Sequence, residues 1–293
     1  MKLFHFRYAF ARISDDTVDE APTPDAAEKG FKSLVLQCQN IYSSAGSDGA
    51  GHRFSGLYLP SIETIPRFIP REIIFEILAG FGSDLVPLQR ANKGFDPSKL
   101  LIQTEDDLLL YSRRVLAYPI VTFIYATWDA DGLLDSKKEL IQSPRVPGVE
   151  QKSQQWILDR AIDIGIAAQL VDIAKDLMHD SSKGRVYIPV SWFQTSEEKA
   201  FLAALYYGTV DSSMLAMVSK YSARLARMAE EYRQRGLPLW DYVSTDIRYP
   251  LKLFLEVYMT SRFDTWRRKG GGVERARTST WARIWTVLKA MCN

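Results

Sequence analysis

Apolar residues recur along most of the chain with the spacing of an α-helix. Intervals of three and four residues place side chains on one helix face. Residues 151–180 form the longest segment of this kind. Alternation of β-branched and polar residues, which marks strands, is rare. The pattern therefore predicts an all-α fold. The clearest examples of helical spacing are Ile73, Ile77 and Phe81, and further along Ile166, Leu170, Ile173 and Leu177.

Prolines, glycines and capping residues divide this pattern into separate helices. Thr104 is followed by three acidic residues, which is typical of a helix N-terminus. Pro119 should kink or break the helix that begins there. Residues 129–149 are polar, contain two prolines and two glycines, and are expected to form a surface loop. The predicted helices are 3–19, 26–42, one from Pro70, one from Thr104, 151–180, and further helices within 196–259.

Composition narrows the class of protein. The chain has 293 residues, which allows one large domain or two small ones, and we expect a single domain over 1–293. Thirty-seven basic and thirty-five acidic residues leave a formal charge of +2, so nucleic acid is not an expected partner. Cys38 and Cys292 form neither a disulfide framework nor a zinc cluster. A reducing, cytoplasmic location is therefore expected.

Membrane signals are weak. His5 and Arg7 interrupt any signal-peptide core near the N-terminus. The uncharged stretch from Val115 to Trp128 is shorter than the roughly 20 residues that span a bilayer, and it contains a proline. Basic residues and tryptophans between 262 and 285 suit either a peripheral contact with an anionic membrane surface or a solvated helix face.

Two acidic stripes carry the candidate chemistry. Each aligns along one helix face beside apolar positions, at the margin of the buried surface. Stacked carboxylates repel one another, and a cation would remove that cost. Carboxylate and phosphate oxygens are ligands that Mg²⁺ prefers. One stripe alone would be better explained as a solvated face, but two favour a metal site. The stripes are Tyr8, Arg12, Asp15 and Asp19, and then Gln169, Asp172, Asp176 and Asp180.

The two stripes and their surroundings resemble the squalene/phytoene synthase family, and most of all the phytoene synthase domains of fungi. The resemblance rests on the segment from Tyr8 to Glu20, and on the second stripe followed by Gly-Arg-Val-Tyr-Ile-Pro at 184–189. It extends weakly through residues 78–85 and 107–111. It implies a single isoprenoid-synthase-type helical bundle around an apolar cavity.

The same resemblance implies roles for individual residues. Mg²⁺, or Mn²⁺ in its place, would be the cofactor, prenyl diphosphate the partner, and no nucleotide cofactor is expected. The implied catalytic and metal-binding residues are Asp15, Asp19, Asp172, Asp176 and Asp180. The implied substrate-binding residues are Arg12, Tyr111, Gln169, Lys175 (where the family usually has arginine), Arg185 and Tyr187.

The implied activity is head-to-head condensation of two geranylgeranyl diphosphates. Two departures bear on it: the family's usual helix upstream of the first stripe is expected to be absent, and residues 115–120 lack the family's two glycines. Side chains at those positions would narrow a cavity for two long chains. Two alternatives stay open: a class I-type terpene cyclase that acts on one farnesyl or geranylgeranyl diphosphate, and a non-catalytic binding or assembly protein that keeps the fold.

Overall fold

A computed structural model of the chain describes residues 10, 14, 16–44, 69–85, 94–134, 140–143, 148, 150–243 and 248. These residues are mostly helical, which confirms the predicted all-α class. Their α-helices are α1 (Pro24–Ser44), α2 (Arg71–Ser83), α3 (Glu105–Ser112), α4 (Tyr118–Ala130), α5 (Gln154–Ser182), α6 (Ser196–Tyr207) and α7 (Leu215–Gly236). Short 3₁₀ turns lie at Pro97–Lys99, Val190–Trp192, Ser212–Met214 and Leu237–Asp241.

Helix α3 begins as its sequence predicts. Thr104 accepts a hydrogen bond from the backbone N–H of Asp107, whose carboxylate accepts one from the backbone N–H of Thr104. The predicted kink takes the form of a π-helical turn at Arg113–Ala117, followed directly by α4 with Pro119 in its first turn. Because proline has no N–H and crowds the carbonyl four residues earlier, the regular α-helical hydrogen bonds cannot pass through it.

A short β-ladder accounts for the difference between the predicted and observed start of α5. Leu140–Ile141 (β1) pairs antiparallel with Lys152–Ser153 (β2). Ser153 then caps α5, since its hydroxyl accepts a hydrogen bond from Trp156 N at 3.1 Å. The helix therefore begins at Gln154, after the strand, and the expected loop over 129–149 contributes β1.

Helix α5 lies at the centre of the larger apolar core. It packs most extensively against α7 and also contacts the π-helical turn and α4. Gly165 makes the contact with the turn possible, because an added Cβ would overlap the backbone of Ala117. A second core joins α1, α2 and Ala126 of α4. Helix α2 packs against the π-helical turn, α4 and α1, and α3 packs against the turn and α5.

Some predictions fall largely outside the described residues. Of the predicted first helix, residues 10, 14 and 16–19 are described, and they are helical. The basic, tryptophan-containing segment after residue 260 lies outside the described residues, and the single-domain prediction over 1–293 stays a prediction. Among the described helices, none has the length and hydrophobicity needed to cross a membrane.

Candidate functional site

The C-terminal end of α5 turns the chain back over its own last turn. Gly184 adopts a φ of +68°, a conformation that favours glycine. The backbone N–H of Arg185 then donates to the carbonyl of Asp180 at 2.9 Å. Such a bond satisfies a carbonyl at the helix end. The Gly-Arg-Val-Tyr segment is therefore held directly beside the end of the second acidic stripe.

Arg185 joins the two acidic motifs. Its Nη1 and Nη2 donate to Oδ2 and Oδ1 of Asp19 at 3.0 Å and 2.7 Å. The Arg185 side chain is 8% exposed and that of Asp19 is 27% exposed. Burial on its own lowers the pKa of Arg185, but the hydrogen bonds and the negative charge of Asp19 outweigh it and raise that pKa. Arg185 is therefore a fixed positive charge between the motifs.

A buried carboxylate, Asp84, lies at the same place. It follows α2 directly, is 6% exposed, and accepts hydrogen bonds from two tyrosines. Tyr187 Oη donates to Oδ1 at 2.7 Å, and Tyr111 Oη lies 3.1 Å from Oδ2 and 3.2 Å from Oδ1. The two rings stack with centroids 4.9 Å apart. The structure thus brings Tyr111 and Tyr187 together around an acid to which the resemblance assigned no role.

The acidic groups at this end of α5 interact electrostatically. Burial is the largest effect on Asp84 and raises the pKa of its carboxyl to about 6, although Tyr187 and Arg185 oppose the rise. Burial also raises the pKa of Asp180 well above its ordinary value, and the negative charges of Asp176 and Asp172 add to the effect. Acidic groups are therefore crowded where the two motifs meet and disfavour one another's ionisation, and the positive charge of Arg185 opposes part of this effect.

Lys175 is paired with acids of its own helix. Its Nζ lies 2.6 Å from Oδ1 of Asp172 and 2.6 Å from Oδ2 of Asp176. Lys175, which the resemblance assigns to the substrate, thus bridges two of the implied metal ligands. Gln169, one turn earlier, is buried at 8% exposure.

The predicted site is only partly within the described residues. Arg12 and Asp15 lie outside them, so their positions stay predictions. Across the part of the chain that the structure describes, no three His, Cys, Asp or Glu side chains are grouped as a metal ion would require. The described residues supply separate parts of a site. Asp19 pairs with Arg185, Asp180 lies beside them, and Asp176 and Asp172 lie one and two turns earlier on α5.

Sequence comparison identifies the family of the chain. The squalene/phytoene synthase profile matches residues 4–282. The bifunctional lycopene cyclase/phytoene synthase of Phaeosphaeria nodorum is 28% identical over 302 aligned positions, covering 96% of this chain and 45% of that protein. The phytoene synthase of Rhodobacter capsulatus is 23% identical, covering 97% of this chain and 70% of that protein. The chain spans less than half the length of the bifunctional fungal relative.

The fold has a counterpart among solved structures. A crystal structure of a dehydrosqualene synthase in complex with ligand aligns with a TM-score of 0.62 at 16% sequence identity. The alignment covers 98% of this chain and 87% of that one. It supports the predicted isoprenoid-synthase type of helical fold. The profile match over residues 4–282 gives the family. The chain belongs to the squalene/phytoene synthase family.

Proposed function

We propose that the chain is a Mg²⁺-dependent synthase that ionises allylic prenyl diphosphates and joins two geranylgeranyl diphosphates head-to-head. The observation that carries the proposal is the Arg185–Asp19 pair, which brings the first acidic motif to the end of the second. A diphosphate bound there would meet a buried cation and carboxylates from both motifs. The names of the relatives, phytoene synthase among them, support the same reaction.

The carboxylates fit a divalent cation. Asp172, Asp176 and Asp180 follow one another on α5, and their mutual repulsion contributes to the raised pKa of Asp180. A bound cation lowers such a cost, and Mg²⁺ takes oxygen ligands from a few carboxylates and from phosphate. Asp180, Asp176 and Asp172 on one side, with Asp19 and Asp15 on the other, would hold Mg²⁺. When bound, Mg²⁺ would neutralise charge on the departing diphosphate.

Arg185 fits a diphosphate oxygen. Its Nε is buried and has no hydrogen-bond partner among the described residues, while its two Nη atoms hold Asp19. A buried donor without a partner is costly, and a phosphate oxygen would satisfy it. Arg185 therefore has a donor left for an anionic ligand while it keeps the two motifs together.

The two stacked tyrosines, Tyr111 and Tyr187, would stabilise the allylic carbocation. Their rings offer a negative quadrupole to the positive charge that remains when diphosphate leaves an allylic carbon. Both rings are buried, at 7% exposure each, so water has little access to them. A carbocation lasts longer where water is excluded.

Incubation of the purified chain with geranylgeranyl diphosphate and Mg²⁺, followed by mass spectrometry and a diphosphate assay, tests the proposal. We expect a C40 product, diphosphate release, and loss of both on addition of excess chelator. The same experiment with farnesyl diphosphate would give C30 if the chain accepts shorter substrates. A C15 or C20 hydrocarbon would instead establish the single-substrate cyclase, and binding of substrate without diphosphate release would establish the binding protein.

A further inference from the structure

Asp84 is a buried acid that the reaction proposed above does not use. It lies at the end of α2, 27 residues before Tyr111 and 103 residues before Tyr187, and both hydroxyls donate to it. Burial of a carboxylate is unfavourable unless hydrogen bonds or a cation compensate for it. An apolar side chain at this position would avoid that cost, so the carboxylate calls for a reason beyond packing.

The backbone around Asp84 is firmly held. Its N–H donates to the carbonyl of Phe81 at 3.2 Å and closes the last turn of α2. Helix α2 in turn packs tightly against the π-helical turn, because a Cβ added at Gly80 would lie 2.7 Å from Cβ of Arg114. Close packing of α2 against the π-helical turn therefore holds the Asp84 carboxylate in place. A group that hydrogen-bonds to this carboxylate is held in a defined orientation.

Asp84 determines which way the two tyrosine hydroxyls face. A phenol has one O–H donor, and in both tyrosines that donor is directed at the same carboxylate. The two hydroxyls also hydrogen-bond with each other, so only the lone pairs outside this network are left for a donor or a cation. A negative acceptor also polarises each O–H bond and increases the negative character of oxygen and ring.

We propose that Asp84 is a positioning residue that orients Tyr111 and Tyr187 for the ionisation of the prenyl diphosphate. It acts through the tyrosines and not on the substrate itself. Asp84 orders their hydroxyl hydrogens toward itself, so that the stacked pair presents oxygen lone pairs and ring faces to positive charge. This inference rests on the proposed function, because it takes the prenyl cation as the group that the tyrosines meet.

Steady-state kinetics of Asp84→Asn test the role. Asparagine keeps the size of the side chain but removes the charge and one acceptor oxygen. We expect kcat to fall at least tenfold, with KM within threefold of the wild-type value. Asp159→Asn, an exposed acid on α5 that accepts a hydrogen bond from Gln155, is the matched control and should leave kcat unchanged. An unchanged kcat in Asp84→Asn, or a rise of KM alone, would overturn the proposal.

A double-mutant comparison separates positioning from packing. Replacing Tyr111 and Tyr187 together by phenylalanine keeps both rings and removes both hydroxyls, and it should reproduce the kcat loss of Asp84→Asn. If Asp84 acts through those hydroxyls, adding Asp84→Asn to this variant should change kcat less than twofold. A further tenfold fall would show that Asp84 acts independently of the tyrosines. If Asp84→Asn does not fold, an unchanged kcat in the phenylalanine variant would still overturn the proposal, because Asp84 is proposed to act through the two hydroxyls.

A spectroscopic measurement keeps the inference separate from the proposed function. In protein labelled with ¹³C at tyrosine Cζ, the signals missing from the two single phenylalanine variants belong to Tyr111 and Tyr187. We expect both signals to shift in Asp84→Asn at neutral pH and to stay in place in Asp159→Asn. Unshifted signals would overturn the positioning role whatever the activity. Shifted signals in a chain that releases no diphosphate would overturn the proposed function alone.

Discussion

The guanidinium of Arg185 donates two hydrogen bonds to the carboxylate of Asp19, although the two residues are 166 positions apart in the chain. Asp19 ends the first acidic motif, and Arg185 follows the second by way of Gly184. Two-point pairing fixes the orientation of both groups as well as their distance. This pair therefore fixes the position of the two acidic motifs relative to each other.

Replacing Arg185 by lysine should disrupt the relative position of the two acidic motifs. Lysine keeps the charge but cannot form the planar fork. Because Arg185 is buried and Asp19 is partly exposed, we expect a loss of about 1–3 kcal/mol in the free energy of unfolding, below the full cost of breaking a buried pair. Binding of Mg²⁺-pyrophosphate should weaken at least tenfold. Urea unfolding and isothermal titration calorimetry measure the two effects.

Arg233→Lys is the matched control for this substitution. Arg233 makes a similar two-point pair with Glu230, with both hydrogen bonds at 2.8 Å, on the more exposed surface of α7. Surface pairs contribute about 0–1 kcal/mol, so the stability loss should be small and pyrophosphate binding should not change. Equal effects of the two substitutions would contradict the special role of Arg185.

The stability of the folded chain should carry a pH dependence from Asp84. Burial raises its pKa from 3.8 to about 6, against the effects of Tyr187 and Arg185 and with that of Asp19. The folded state therefore binds a proton more tightly than the unfolded state between about pH 4 and pH 6. The proton bound to Asp84 therefore stabilises the folded state fully below pH 4. This stabilisation, about 3 kcal/mol in the free energy of unfolding, is lost as the pH rises through 6.

Asp84→Asn removes that contribution. Asp180, whose pKa is raised by burial and also by the charge of Asp84, changes stability in the same direction, so part of the difference between the two proteins comes through Asp180. Glu198 acts in the opposite sense at lower pH, because its hydrogen bond with Lys220 holds its pKa at about 2. The variant should therefore gain free energy of unfolding relative to wild type between pH 4.5 and pH 7.5. A difference independent of pH in urea unfolding would contradict the burial of an ionised Asp84.

Asp176→Asn should abolish turnover or reduce it by orders of magnitude. A neutral amide cannot balance the charge of Mg²⁺ at the departing diphosphate. The fold should survive, since the Asp176 side chain is 36% exposed and borders the core without lying in it. Diphosphate release and thermal melting give the two readings, with Asp159→Asn as the control on the same helix. Undiminished turnover in Asp176→Asn would exclude this carboxylate from the site.

The helices could be predicted because their signals are local. Thr104 and Asp107 form the capping box that the Thr-Glu-Asp-Asp sequence indicates, with Asp107 N donating to Thr104 Oγ1 at 3.2 Å. The spacing of Asp172, Asp176 and Asp180 likewise follows from the helical period alone. Even the interruption at Pro119 was predictable as a kink. The close approach of Ala117 in the π-helical turn to Gly165 was not, because it joins residues far apart in the sequence.

Asp84 could not be found in the same way. It has no acidic neighbour at helical spacing, and its two partners come from distant elements that meet only in the folded chain. The local signals are an acid that closes an apolar helix after Gly80 and Gly82, and the weak family resemblance over residues 78–85, which gave that acid no role. Lys175 illustrates the converse limit, since its i,i+3 spacing from Asp172 allows an ion pair within the helix as readily as a contact with substrate.

Gly165→Ala should destabilise the fold at the contact between α5 and the π-helical turn. An added Cβ would overlap the backbone of Ala117, so the two elements must separate or the helix must shift. Alanine gains about 1 kcal/mol of helix propensity over glycine, but overpacking a tight contact costs about 1–3 kcal/mol. Because the obstructing atoms are backbone and cannot rotate away, we expect a net loss of about 1–2 kcal/mol.

Gly94→Ala provides the comparison, since nothing lies within 4 Å of the Cβ it would add. Its melting temperature should equal that of the wild type or exceed it slightly, because alanine restricts the unfolded chain. The turn leads directly from Tyr111, so displacement of Ala117 in Gly165→Ala should also reach the site. Diphosphate release should therefore fall in Gly165→Ala and not in Gly94→Ala. A stable Gly165→Ala variant with full activity would show that α5 and the turn do not need to lie this close.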